Sequence, residues 1–389
     1  MRVLHVIPSV SPVHGGPSKA IVIMEQALST AGIAVTTATT DDDGPGRRLA
    51  THARPPRACP PARVYARKWL DFYKVAPGLV PWLWRHVRDF DVVHIHALFS
   101  FTSLAAGLMA RGRGVPYVIR PLGTLAAYGM NQRRPWLKRL SLTLVEGPLL
   151  RRASAVHFTS QSELDEAASL GIPLRSVVVP LAVEEERPGD PHDLIREHPI
   201  LAHRRTVLFL SRLDPKKNVE SLLQAIAALK ALQGEPVLLM AGDGDPAHVA
   251  SLKTLAASLG IDQSVIWLGH VEGARKAAVL AAADVFVLPS FSENFGLAAA
   301  EAMLAGLPCV LARGVAIAGD VQQAGAGLAV APDPGSLARA LVQVLGDEAL
   351  RRDMGARARQ FAERQYSTRA MAERLTALYR HLASAKGQC

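Results

Sequence analysis

Apolar residues in this chain gather in short runs of four to six, separated by stretches where they return every third or fourth position. Short runs of that kind suit strands buried on both faces of a parallel sheet, and the stretches between them suit amphipathic helices. In the first half the pattern predicts strands at Val3–Ile7, Ala34–Thr39, Asp91–His96, Val115–Arg120, Ala155–Thr159 and Val177–Pro180, with a helix at Lys19–Ala31. The second half repeats the scheme. Its predicted strands are Val207–Leu210, Val237–Ala241, Val265–Leu268, Val285–Pro289 and Pro308–Leu311. Helices are predicted at about 218–233, 247–259, 273–282, 296–305 and 336–346. Two successive α/β runs imply two Rossmann-like, doubly wound domains facing each other across a cleft. Glu184–His203 is charged and holds Pro188, Gly189, Pro191 and Pro199, so it reads as a linker. The predicted division is therefore 1–185 and 200–366. A last helix, Ser367–Ser384, buries a stripe of Met371, Leu375, Leu378 and Leu382 and completes the first domain.

The bulk numbers agree with this organisation. A chain of 389 residues suits two cores rather than one, and 49% hydrophobic with 20% charged residues is a globular composition. No apolar run approaches the ~18 residues of a membrane-spanning helix, and the apolar N-terminus is too short for a signal peptide. Cys59, Cys309 and Cys389 have neither metal-ligand spacing nor the pairing of a disulfide framework, which points to a reducing cytoplasm.

The net charge of +10 is uneven. Residues 1–185 hold 22 Lys and Arg against 13 Asp and Glu, whereas the remainder holds 22 against 21. A basic half calls for an anionic partner: membrane phospholipid, a phosphorylated acceptor or nucleic acid. The bland alternative is a solubility effect in an Arg-rich chain. Within 47–88, ten basic residues stand against one acid, Asp71, with Trp69, Phe72, Tyr73, Trp82 and Trp84 among them. Such a segment suits a peripheral contact with the inner face of an anionic membrane, or a single-stranded nucleic-acid groove. It also suits helices whose aromatics simply face a core. Nucleic acid is not the expected partner.

Three loops carry candidate chemistry. Ser290-Phe-Ser-Glu-Asn-Phe-Gly-Leu follows a predicted strand and opens a helix, with Glu293 and Glu301 eight apart. Gly296 permits close backbone approach, and a helix start offers N–H groups to an anion. The alternative is an acidic helix cap with Glu301 merely exposed. Leu210-Ser-Arg-Leu-Asp-Pro-Lys-Lys-Asn sets Arg212 and Lys217 five apart across a turn. Fixed cations there can stabilise negative charge that grows during a reaction more in the transition state than in the ground state. The alternative is an Asp-Pro turn with solvated charges. His14-Gly15-Gly16-Pro17 places paired glycines before the first helix, near enough for a phosphate. This is not G-x-G-x-x-G, which argues against a nicotinamide enzyme.

Along nearly its whole length the chain resembles the retaining GT-B glycosyltransferases of family 4. Their E-x7-E motif is similar to Glu293…Glu301. The resemblance implies that Glu293 contacts donor-sugar hydroxyls, that Glu301 holds ribose hydroxyls, and that Asn294, Phe295, Gly296 and Leu297 bring backbone amides near sugar and phosphate. It pairs an Arg and a Lys where this chain has Arg212 and Lys217, and places Gly-Gly where it has Gly15 and Gly16. The implied activity is sugar transfer from a nucleoside-diphosphate sugar to a polysaccharide- or glycolipid-type acceptor with retention, without cofactor or metal. The alternatives are an epimerase or a non-catalytic nucleotide-sugar-binding protein on the same fold.

Other residues are more ambiguous. His94 and His96 share one strand face, with no third metal ligand evident nearby. His96 and Arg120 are candidate cleft residues. Asp243-Gly-Asp245 reads as a turn, and Asp41–Asp43 as a solvated loop. The resembling family often has His where this chain has Leu122, so either Arg120 or Thr124 substitutes, or the donor differs, or activity is weak.

Overall fold

The computed structural model describes residues 1–49, 62–125, 135–184, 189–230 and 235–385. The chain forms two compact units, Met1–Ala182 with Thr368–Cys389, and Val183–Ser367. Each is built on one parallel sheet.

The first unit has seven strands: β1 (Arg2–Val6), β2 (Ala34–Thr40), β3 (Ala62–Ala66), β4 (Val92–His96), β5 (Tyr117–Arg120), β6 (Ala155–Phe158) and β7 (Ser176–Val178). Their order is β3-β2-β1-β4-β5-β6-β7. Every residue of β4, β5 and β6 is buried, as expected when helices cover both faces of a parallel sheet. The register sets His5 beside His94 and His96 beside Arg120. The C-terminal helix, Thr368–Ala385, lies against the helix Gly16–Thr30 and against β4.

The second unit has six strands: β8 (Thr206–Leu210), β9 (Val237–Ala241), β10 (Val265–Gly269), β11 (Val285–Leu288), β12 (Cys309–Ala312) and β13 (Gly327–Val330). Their order is β10-β9-β8-β11-β12-β13. In both sheets the order reverses beside the first strand, between β1 and β4 and between β8 and β11. Ligands of open α/β sheets bind outside the carboxyl ends at such a switch point.

Some elements differ from the sequence reading. β3 and β13 are edge strands, only partly buried, and the hydrophobic pattern did not mark them. The helices Ala318–Gln323 and Glu348–Tyr366 were also unforeseen. The latter is strongly polar, and it buries small residues such as Gly355, Ala358 and Ala362 rather than a Leu stripe. The expected linker is folded: His192–Glu197 is helical, and Glu197 accepts two bonds from Arg275, at 3.1 and 2.8 Å. Pro188 lies outside the described residues. In the C-terminal helix Leu378 is only half-buried, whereas Tyr379 is fully buried.

Candidate functional site

In the second unit the chain leaves β8 through Ser211 and Arg212. It bonds again to the loop after β9, where Leu213 N–H donates to the Asp243 carbonyl at 2.8 Å. A Cβ on Gly244 would lie 2.0 Å from the Leu213 carbonyl, so only glycine allows this approach. Asp245 caps the helix Pro246–Ser258 by accepting from the amides of Ala247 and His248, and Asp243 accepts from the amide of His270 at 3.1 Å. Both carboxylates of the D-x-D sequence thus serve backbone turns.

Asp214 accepts from the amide of Lys216 and starts the single turn Pro215–Lys217. Asn218 ends that turn in the left-handed region (φ 56°). Its side-chain amide donates to the carbonyls of Pro289 (3.2 Å) and Pro332 (2.9 Å). Phe291 N–H donates to the Lys216 carbonyl at 3.0 Å. These bonds lock the turn after β8 to the loop after β11. Lys217 is buried, and its ammonium is paired with the Glu293 carboxylate. The Glu293 backbone is held in turn, its N–H to the Gly314 carbonyl (2.8 Å) and its carbonyl to the Ala316 N–H (3.0 Å). Arg212 is exposed. Lys216, missed in the sequence reading, is half-buried. Desolvation lowers its pKa against the pull of Glu293, and Lys217, Asp214 and Arg212 also lie within its electrostatic range.

Gly296 (φ 97°) opens the helix Leu297–Leu304 from a conformation few other residues adopt. Phe295 is buried and meets Tyr366 edge-on at 5.2 Å, so its ring is a packing group. Asn294 is exposed, and Leu297 is half-buried. Glu301 sits in the second turn of the helix, 9% exposed, 3.3 Å from the ammonium of Lys276, itself 9% exposed. Lys276 carried no sequence signal. It comes from the helix Gly273–Ala281, far from the motif along the chain.

These two acid–base pairs lie on helix and loop starts at the switch point of a Rossmann-like sheet. Residues 192–361 match the family described as "Glycosyl transferases group 1", and residues 15–182 match a "Glycosyl transferase 4-like domain". The D-inositol 3-phosphate glycosyltransferase of Corynebacterium glutamicum is 31% identical over 320 residues, covering 78% of this chain and 75% of that protein. The chain belongs to the group 1 glycosyl transferases. The 2-deoxystreptamine glucosyltransferase of Streptomyces kanamyceticus is 31% identical over 67% of this chain and 69% of its own length. Against the D-inositol 3-phosphate glycosyltransferase of Corynebacterium efficiens, 34% identical, the match spans about half of each chain, 49% and 46%. Among solved structures, a sucrose-phosphate synthase from Thermosynechococcus elongatus superposes with a TM-score of 0.77 at 21% identity, covering 99% of this chain and 100% of that one. An Anabaena protein crystallised with UDP and glucose gives 0.75 at 19%, covering 97% and 99%. These likenesses establish the GT-B fold.

Within this glycosyl transferase fold, the first unit's sheet edge is built differently. Gly15 (φ 68°) precedes the helix that starts at Gly16. His96 ends β4 and Arg120 ends β5, and both are 0% exposed, so the expectation of two cleft-lining side chains is corrected. They belong to a buried polar cluster with His5, His94, His157 and Tyr379, each also 0% exposed. His5 supplies the third ring the sequence reading lacked. Ring nitrogens of His5, His94 and His96 lie within 4.8 Å of one another. Most of them bond to one another or to Tyr379 rather than converging on a point. Burial, reinforced by the Arg120 charge, pulls the pKa values of His5 and His157 down to about 3 and holds those of His94 and His96 well below the usual value. Among the described residues the three guanidinium nitrogens of Arg120 have no hydrogen-bond partner, and desolvation lowers its pKa to about 10. Leu122 adopts φ 59°, and the Thr124 hydroxyl donates to the Pro121 carbonyl at 2.7 Å.

The solvated-loop reading of Asp41–Asp43 is also corrected. Asp42 is 0% exposed and paired with Lys68, with Lys74 (2.9 Å) and with His14 (2.8 Å). Asp41 accepts from the Lys68 amide, and Asp43 from the Ser11 hydroxyl. Arg63 is paired with buried Glu25. Three cations of the basic segment are therefore bound internally. Its residues 50–61 lie outside the described region. Trp69, Phe72 and Trp84 are exposed at 66%, 69% and 52%, while Trp82 packs against the core.

Proposed function

We propose that this protein transfers a sugar, with retention of anomeric configuration, from a nucleoside-diphosphate sugar to a glycan or glycolipid acceptor. The observation that carries the reading is the Lys217–Glu293 pair at the β8–β11 switch point, with Arg212 exposed on the same turn. As the glycosidic bond breaks, negative charge grows on the diphosphate, and Lys217 and Arg212 neutralise it. Glu293 accepts hydrogen bonds from hydroxyls of the donor sugar, and Glu301 from the ribose. Cations fixed before reaction favour the transition state because they need no reorganisation. The acceptor hydroxyl gives its proton to the leaving phosphate, so no side-chain nucleophile is required, and no metal. The names of relatives that act on inositol 3-phosphate and 2-deoxystreptamine support a polyol-type acceptor hydroxyl. No described helix is long and apolar enough to cross a membrane. We place the protein in the cytoplasm, with the exposed aromatics of 69–84 touching the anionic inner face of the plasma membrane.

The test is turnover of UDP-glucose, UDP-N-acetylglucosamine and GDP-mannose, each with and without a polyol acceptor, with the product's anomeric configuration read by NMR. Acceptor-dependent release of nucleotide with retained configuration is expected. Interconversion of the sugar without acceptor would identify an epimerase, and binding without turnover would identify a carrier.

A further inference from the structure

The buried cluster of the first unit has a direction. The Val179 carbonyl can only accept, so the Nε2 of His157, 2.7 Å away, carries the proton. Burial keeps each ring neutral, with one N–H apiece. The bare Nδ1 of His157 therefore accepts from Nε2–H of His94 at 3.2 Å. The bare Nδ1 of His94 accepts from the Tyr379 hydroxyl at 2.6 Å. That oxygen accepts from Nε2–H of His5 in the longest link, 3.5 Å, and Nδ1 of His5 accepts from Nε2–H of His96 at 3.2 Å. One carbonyl thus sets the tautomers of four histidines on three strands. The chain ends at Nδ1 of His96, a buried lone pair with no partner among the described residues, on the strand residue that pairs with Arg120, whose guanidinium nitrogens likewise have none among them. Ala97 (φ 105°) and Phe99 (φ 54°), in the loop after β4, and Leu122 (φ 59°), in the loop after β5, hold conformations that non-glycine residues rarely adopt.

We propose that Tyr379 is a positioning residue: through this chain it holds His96 as the Nε2–H tautomer, so that Nδ1 accepts a hydrogen bond from a hydroxyl of a sugar or polyol substrate beside the Arg120 guanidinium. The substrate half of this inference rests on the transferase reading above. The hydroxyl enters from the carboxyl end of β4, and the strained Ala97–Ser100 loop gives way to admit it. The Arg120 charge makes a second proton on any of the rings unfavourable, which keeps the chain one-directional. Glu163, the acid within Arg120's electrostatic range, accepts instead from Gly123 N–H and from Thr159.

The experiment is long-range proton–nitrogen NMR of the full chain labelled at histidine. In the wild type, His5, His94, His96 and His157 should all be neutral Nε2–H tautomers. Tyr379→Phe removes the bridging hydroxyl with little change of shape. His157 and His94 should stay fixed from the Val179 end, whereas His5 and His96 should become tautomer mixtures. With the nucleotide-sugar that the turnover test identifies, kcat/KM should fall about tenfold, the loss of roughly one hydrogen bond. A packing role alone would lower the melting temperature without this split between two pairs of histidines. An Nδ1–H or doubly protonated His96 in the wild type overturns the proposal, as does an unchanged His96 in Tyr379→Phe. Released tautomers with unchanged kcat/KM remove the substrate half. A wild type that turns over no donor sinks the transferase reading, and the spectra then decide the tautomer chain by themselves.

Discussion

The carboxyl edges of the two sheets share a topology and differ in electrostatics. In each, the order turns beside the first strand, and the loops after the first and fourth strands carry polar residues. At β8 and β11 the groups are charged, paired and partly open to water: Lys217 with Glu293, Lys276 with Glu301, and Arg212 exposed. At β1 and β4 they are neutral imidazoles, fully buried around one guanidinium. The difference teaches that a shared scaffold fixes where polar groups gather but not how they are charged. Beyond the strand ends of the second sheet, acids and bases meet in pairs that offset each other's charge. Imidazoles held inside the strands beside one guanidinium lose water and become neutral.

The largest expected effect tests the neutral edge. The folded pKa values of the four histidines lie well below the unfolded value of about 6.5, so the unfolded chain binds more protons as pH falls, and folding weakens. Stability is full above pH ~6.5 and declines toward pH ~3. Between pH 7.5 and 5.5 each histidine should cost about 1.4 kcal/mol, about 5.5 kcal/mol for the four together. Urea unfolding of the first unit at both pH values measures this, and His5→Gln should reduce the drop by about a quarter. A flat profile would mean that these rings are not held neutral.

Next come the cations of the charged edge. Arg212→Ala and Lys217→Ala should each lower kcat by about 10²–10³-fold, more than they raise KM. The double variant should lose less than the product of the two, because both groups act on one charge. Lys217→Arg should not restore activity fully, since a planar fork and a compact ammonium place charge differently against Glu293. Steady-state kinetics with circular dichroism as fold control decides it. Near-normal kcat in both single variants would remove the leaving-group role.

Glu301 is expected to matter for binding alone. Losing its bonds to ribose should weaken donor affinity by about 1.5–3 kcal/mol in calorimetry. Because Glu301 also faces the buried Lys276, Glu301→Gln is a milder probe than Glu301→Ala. Unchanged donor affinity in both would end the ribose assignment.

Smaller still is the membrane term, about 1 kcal/mol for each basic residue near an anionic surface. Lys68, Lys74 and Arg63 are bound to internal acids, so they should not contribute. Neutralising Arg47, Arg67, Arg85 and Arg88 should release the protein from phosphatidylserine vesicles in a sedimentation assay. A wild type that ignores such vesicles at low salt would make the exposed tryptophans ordinary surface. The smallest expected effect is none: EDTA should leave turnover unchanged if, as proposed, Lys217 and Arg212 carry the leaving charge. Loss of turnover restored by Mn²⁺ would overturn that.

The charged edge was largely legible in the sequence. Arg212, Lys217 and Glu293 lie in two short loops, each after an apolar run and before a helix, and Glu301 lies in the helix that the second loop opens, so local order places them near one another. The neutral edge was not. His5, His94, His96, His157 and Tyr379 are far apart along the chain, and only strand register and the docking of the last helix unite them. The same gap explains Asp42, whose acidic run looked solvated until Lys68 and Lys74 folded over it.

The sequence by itself determined two α/β units, their parallel strands and the charged loops, because hydrophobic period and loop position are local properties. Only the tertiary structure decided which ions are compensated, which imidazoles are neutral, and that Tyr379 rather than Leu378 faces the sheet. Those depend on burial and on partners brought from distant segments, and free energies of desolvation have no counterpart in a linear pattern.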